Sequence, residues 1–202
     1  MLQNRVDPLG RFIKTNARGA WMGNRGVIHT DKEIVKSFKH KAWIICVLEF
    51  KGRKREVMSP DRWTELFFLD EATAFAAGHR PCFECRRDDA NNFKSCWIKG
   101  NPGYAFTMKT SIQHIDEIIH RERIDSAQQK ITHPRTAHSI PHGTFILRND
   151  DAYLFSNNKL YRWTPFGYEA GIDVQPDAML TVLTPASIVN AFRAGYVPQT
   201  RG

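Results

Sequence analysis

Four cysteines, Cys46, Cys82, Cys85 and Cys96, carry the most specific chemistry in this chain of 202 residues. Two of them form a Cys-x-x-Cys pair in the run Pro81-Cys82-Phe83-Glu84-Cys85. Zinc takes four N or S ligands in a tetrahedron, and a tight loop of this spacing offers it two thiolates at about 2.3 Å each. The pair predicts half of a Zn2+ site, with a redox dithiol as the competing chemistry. Cys46, in a β-prone run, is the expected third ligand, because a strand packed beside the knuckle removes any sequence separation. The fourth ligand is open among His29, His40, His79 and Cys96, with His29 preferred because it ends a strand expected beside that of Cys46. Cys96 shares a helical face with Phe93 and better suits a small core residue. His79 follows a helix-ending glycine, where it suits a cap. Four protein ligands leave no open coordination position, so the metal reads as structural.

A second group lies at 111–129 and in the loop that follows. Asp116 and His120 are i,i+4 neighbours, as are Glu117 and Arg121, and His133, His138 and His142 come next. A His–carboxylate pair on one helix face with a histidine loop 133–142 beside it predicts, as the alternative function, a metal-dependent hydrolase or nuclease. The competing account is a solvated helix face laced with ion pairs. The sequence contains no His-Glu-x-x-His, Gly-x-Ser-x-Gly, phosphate-loop or dinucleotide-binding signature.

Charge adds a partner. The formal net charge is +8, and residues 1–60 hold 13 Lys/Arg against 5 Asp/Glu while the remainder balances. A segregated basic surface favours a polyanion, so DNA or RNA is the expected partner, met by Arg25 and by Lys51, Arg53, Lys54 and Arg55 on a projecting hairpin. Edge-strand lysines that only prevent aggregation would look the same. With 42% hydrophobic residues, no apolar run of membrane-spanning length and no signal-peptide stretch, the chain reads as a cytoplasmic protein with no membrane partner.

The elements that must position these residues make an α+β unit: N-terminal β-hairpins, a zinc knuckle between short helices, one longer central helix, a small C-terminal antiparallel sheet and a terminal helix. One hairpin is expected at 20–29 around Gly23-Asn24-Arg25-Gly26, and a second runs 43–50, turns at 51–53 and returns over 54–58. Asp70 caps a helix over 71–77 that Gly78 closes. Asp88 caps another over 89–98, and 111–129 forms the third, with Ile112, Ile115, Ile118 and Ile119 as its apolar stripe. A loop at 132–143 precedes strands near 144–147, 152–155 and 160–163. Thr184 and Pro185 open the last helix and Gly195 ends it. We read one domain over 1–202, with 17–100 a zinc-held hairpin and helix subregion and 140–202 a small β-plus-helix subregion.

The run from Leu66 to Arg86 resembles the second half of the Ada-type zinc-binding domain, in which a Phe-Phe strand, a short alanine-rich helix and Ala-Gly-aromatic-Arg-Pro-Cys-x-x-Cys-Arg follow in order. The resemblance implies that Cys82 and Cys85 are zinc ligands and places His79 on the family's aromatic position. Ada-type domains take two further ligands from an upstream Cys-x-x-x-Cys. Here Cys46 has Ala42 and Phe50 at that spacing, so one cysteine corresponds and a histidine, His29 or then His40, completes the set. The whole chain also resembles a group of bacterial proteins sharing the Met22–Gly26 and Thr64–Phe68 runs, a likeness that brings no activity with it. Structural zinc contributes about 10–16 kcal/mol of apparent binding free energy, with Arg80, Arg86 and Arg87 expected to offset the −1 charge of a three-thiolate complex.

Overall fold

A computed structural model describes residues 1–52 and 56–201. The N-terminal part holds strands β1 (Arg5–Val6), β2 (Phe12–Ile13), β3 (Trp21–Asn24), β4 (His29–Thr30), β5 (Glu33–Ile34), β6 (Ile44–Cys46), β7 (Leu66–Phe68) and β8 (Arg80–Pro81), with helix α1 (Glu71–Ala76) between the last two. Helices α2 (Arg87–Gly100) and α3 (Ile112–Arg123) follow, then strands β9 (His133–Thr136), β10 (Thr144–Arg148), β11 (Asp151–Ser156), β12 (Lys159–Thr164), β13 (Gly167–Asp173) and β14 (Met179–Val182), and finally helix α4 (Ala186–Arg193). The fold is α+β. One mixed sheet runs β2-β1-β7-β3-β6-β8, a second, antiparallel, runs β13-β12-β11-β10-β14-β9, and β4 pairs with β5 alone.

Helix α1 joins the two sheets. Every one of its residues is buried, which its alanines permit because small side chains let it pack on both sides. Ala74 and Phe75 belong to a core with Phe68 of β7, Phe93 and Trp97 of α2, Ile115 and Ile119 of α3 and Phe192 of α4. Ala72 and Ala76 pack instead with Phe145 and Leu154 of the second sheet. Asp70 caps the helix as expected, its Oδ1 accepting from the Thr73 amide at 2.8 Å, and Gly78 takes φ +84° just beyond its end. Buried Glu71 accepts from the Tyr196 hydroxyl at 2.8 Å and the Gln199 amide at 2.9 Å and pairs with Arg86 at 2.7 Å, tying the C-terminal segment to the knuckle.

Several elements differ from their sequence reading. The hairpin expected at 20–29 does not form: β3 is a central strand, antiparallel to β6 and to β7, while β4 turns to β5. Gly23 is the reason. A Cβ there would stand 2.4 Å from the Ile44 carbonyl oxygen, so this glycine serves close strand approach and not a turn. Of the second hairpin, β6 is present with a turn at Lys51-Gly52, but residues 56–58 form no strand and 53–55 lie outside the described residues. Helix α2 starts at Arg87, so Asp88 sits in its first turn, where a carboxylate favours the helix dipole, and not at the cap. Helix α3 starts at the Ser111 cap but ends at Arg123, because the Asp125 carboxylate accepts from the Gln129 amide and its carbonyl from the Gln128 amide, closing a turn. The 132–143 loop contains β9, and β13 and β14 extend the three expected strands. Thr184 does not cap α4: its hydroxyl accepts from the Phe145 amide at 2.9 Å, leaving Pro185 at the cap.

Candidate metal centre

Parallel pairing of β6 with β8 builds the cysteine site. The register Ile44↔Arg80 and Ile45↔Pro81 carries one residue further to set Cys46 against Cys82, and the Cys82 amide donates to the Ile45 carbonyl at 2.9 Å. The Cys82 carbonyl then accepts from the Arg86 amide at 3.0 Å as the chain enters α2, so Cys85 is folded back over the same spot. The Sγ atoms of Cys46, Cys82 and Cys85 all lie within 4.8 Å of one another. Tetrahedral sulfurs at about 2.3 Å from zinc stand about 3.8 Å apart, so a small inward adjustment closes the three on one ion. Among the described residues no other group of His, Cys, Asp and Glu converges in this way.

The donor chemistry fits a thiophilic metal. Hydrogen bonding from Cys46 pulls the Cys82 thiol down to about 5 against the opposing effect of burial, with help from the Glu84 and Cys85 amides. The Glu84 amide lies 3.3 Å from the Cys82 sulfur. Cys85 is lowered for the same leading reason, aided by the Val47 amide, while Cys46, which donates to both, is held protonated. Two sulfurs are thus stabilised as thiolates and the third gives up its proton when a cation replaces it.

The structure does not bring His29 to the cluster. Its Nε2 donates to the Ser59 carbonyl at 3.2 Å, so its Nδ1 accepts from the Thr64 hydroxyl at 2.6 Å, and neither nitrogen is left for an ion. His40 packs over Gly26, His79 accepts from Arg25 Nε at 3.3 Å within the core, and Cys96 lies on α2 with its sulfur 3.7 Å from Asn92. Instead the three cysteines face a cavity of about 310 Å³ whose walls include Met22, Leu48, Phe50, Trp63 and Phe67, with Glu65 and Glu84 as its carboxylates. Met22 stands opposite Cys46 on one side and Phe67 on the other. No spacing in the sequence relates these lining residues, because they meet only through sheet order. Arg80 and Arg86 do not face the sulfurs as free cations: Arg80 pairs with Asp116 and Arg86 with Glu71 and Asp89.

The acid–histidine helix is likewise not an assembled active centre. Asp116 is buried and receives both Arg80 Nε and Nη2 at 2.8 Å, and Glu117 pairs with Lys41. His120 Nδ1 accepts from Arg123 at 2.7 Å, His133 donates to the Thr184 carbonyl, His138 to the Pro176 carbonyl, and His142 meets the Ser156 hydroxyl. Burial, then the charges of Arg123 and Lys41, push His120 down to about 4, and burial pushes His79 lower as well. Both rings favour the neutral form when folded, so their stabilisation is complete above the ordinary value of 6.5 and is lost as pH falls below it, for His120 through about 4. Urea midpoints across that window should fall less steeply for His120→Gln than for the wild type; equal slopes would show that His120 titrates normally.

Of the cations expected to meet DNA or RNA, Arg25 is interior at 2% exposure, held by the Gly10 carbonyl and by the Trp43 and Phe12 rings. Lys51 is exposed at its turn, and Arg53, Lys54 and Arg55 lie outside the described residues. Among the described residues, no helix is long and apolar enough to cross a membrane. Set against protein-family models, curated proteins and solved structures, the chain matches none of them.

Proposed function

We propose that this is a zinc-thiolate protein in which Cys46, Cys82 and Cys85 hold one Zn2+, pin β6 to the knuckle before α2, and leave the fourth coordination position facing the apolar cavity. The observation that carries the reading is the convergence of three sulfurs from two distant segments, with backbone amides directed at them. A converging donor group of three soft thiolates selects zinc over magnesium or calcium. The likeness of residues 66–86 to Ada-type zinc domains supports the same ion. An open fourth position departs from a purely structural site. Leu48 at 53% and Trp63 at 45% exposure border the cavity and give an incoming ligand an apolar entrance. Bound zinc supplies a Lewis-acidic centre there, and the chain's own residues supply the dry wall around it.

Replacing Zn2+ by Co2+ tests the open position. Three thiolates give sulfur-to-cobalt charge-transfer absorption, and added imidazole, by entering the fourth position, should move the visible ligand-field bands. Bands that imidazole leaves unmoved would mean that the protein itself closes the coordination shell.

A further inference from the structure

Three cationic side chains, Arg25, Arg123 and Lys130, meet in the interior with no carboxylate in ion-pair contact with them among the described residues. Arg123 is 1% exposed and, like Arg25, is buried against Trp43; their guanidinium carbons lie 3.6 and 3.8 Å from its ring centroid. Their acceptors are neutral. Arg25 donates to His79 Nε2 and the Gly10 carbonyl, and Arg123 to the Gly78 and Lys41 carbonyls and His120, while Arg123 Nε is buried without a partner. Lys130 Nζ donates to the Ala76 carbonyl. The nearby carboxylates are committed elsewhere, Asp7 to Arg11 and Asp116 to Arg80. Among the described residues none forms an ion pair with Arg25, Arg123 or Lys130.

Such an arrangement is costly for the folded chain alone, since buried charge is tolerated when it is paired. Burial pushes Arg25 down to about 9 against the attraction of Asp7, and burial followed by repulsion from the neighbouring guanidiniums pushes Lys130 to about 7 and lowers Arg123, with Asp7 and Asp116 offsetting only part of it. The three side chains line one cavity of about 380 Å³ that Phe12 and Trp43 also border, with Gln128 and Gln129 of the loop after α3 at its exposed edge. It shares no lining residue with the cysteine cavity.

We propose that this cavity is a binding site for a small organic oxyanion, its phosphate or carboxylate group received by Arg25, Arg123 and Lys130 and its body lying against Phe12 and Trp43. Guanidinium forks match the paired oxygens of both headgroups, and three cations suit a headgroup of charge up to −2. The volume leaves room beyond a bare headgroup for an organic body.

Titration calorimetry on the full metal-loaded chain tests this with inorganic phosphate, phenyl phosphate, succinate and benzoate. At least one should bind with a dissociation constant below 1 mM, roughly the weak end of specific recognition. Stronger binding of the phosphates would assign a phosphate ester, and stronger binding of the carboxylates a carboxylic acid. Lys130→Met, which removes one of the three charges, and Arg123→Lys, which keeps charge but loses the fork, should each weaken binding about tenfold or more, a difference of about 1.4 kcal/mol. No binding of any of the four to the wild type, or binding that neither variant weakens, would overturn the proposal. Because the wild type alone decides the first outcome, a variant that fails to fold does not blunt the test.

Discussion

Removing the metal, by chelation or by Cys82→Ser, is expected to lower the unfolding free energy by more than about 4 kcal/mol, the range that loss of a bound metal reaches. For a chain of this length each kcal/mol moves the melting temperature by about 2–4 °C, so the transition should fall by about 8–16 °C. The effect has a defined location. Without the ion, β6 and the knuckle keep the parallel ladder, including the Arg80 amide to the Trp43 carbonyl at 3.1 Å and the Cys82 amide to the Ile45 carbonyl at 2.9 Å, and the hydrogen bonds to the cysteine sulfurs. Amide exchange should therefore quicken first at 44–46 and 80–86, while α4 and the β10–β12 meander keep their protection. A melting temperature indifferent to chelator would contradict the pinning role.

Arg80→Ala is expected to cost about 3–5 kcal/mol, the penalty for breaking a buried ion pair and leaving one charge behind. Arg80 and Asp116 are each 6% exposed at the side chain and form a two-pronged bond, and Arg80 Nη1 also donates to the Pro81 carbonyl at 3.0 Å. The pair fastens α3 to the strand that leads into the cysteines. Truncation strands the Asp116 carboxylate in the core, whereas Arg80→Met combined with Asp116→Leu removes both desolvation costs and should recover most of the loss. Urea unfolding of the single and double variants measures the difference. A single variant within about 0.5 kcal/mol of wild type, the usual scatter of surface substitutions, would show that the pair contributes nothing.

Local rules made part of this molecule legible in its sequence. Asp70, the alanines and Gly78 define α1 because cap, propensity and stop act within a few residues. The Cys-x-x-Cys knuckle was legible for the same reason. What escaped depends on distant partners. Gly23 reads as a turn until the Ile44 carbonyl is seen beside it, and β13, with exposed Glu169, Ala170, Ile172 and Asp173, lacks the apolar alternation that marks a strand. His29 looks like a ligand until Thr64 and Ser59 claim its nitrogens from 35 and 30 residues away. Asp116 and His120 share a helix face, but Arg80 and Arg123 take them separately. Arg25 reads as surface charge because sequence alone does not reveal that Trp43, Gly10 and His79 enclose it.

The most direct test of the zinc-thiolate reading is elemental analysis of the purified full chain, with Cys82→Ser and Cys96→Ser prepared alongside. The account predicts one equivalent of zinc in the wild type, its loss in Cys82→Ser and its retention in Cys96→Ser, whose sulfur lies outside the cluster. A folded wild type that carries no metal and takes up none when zinc is supplied would contradict it.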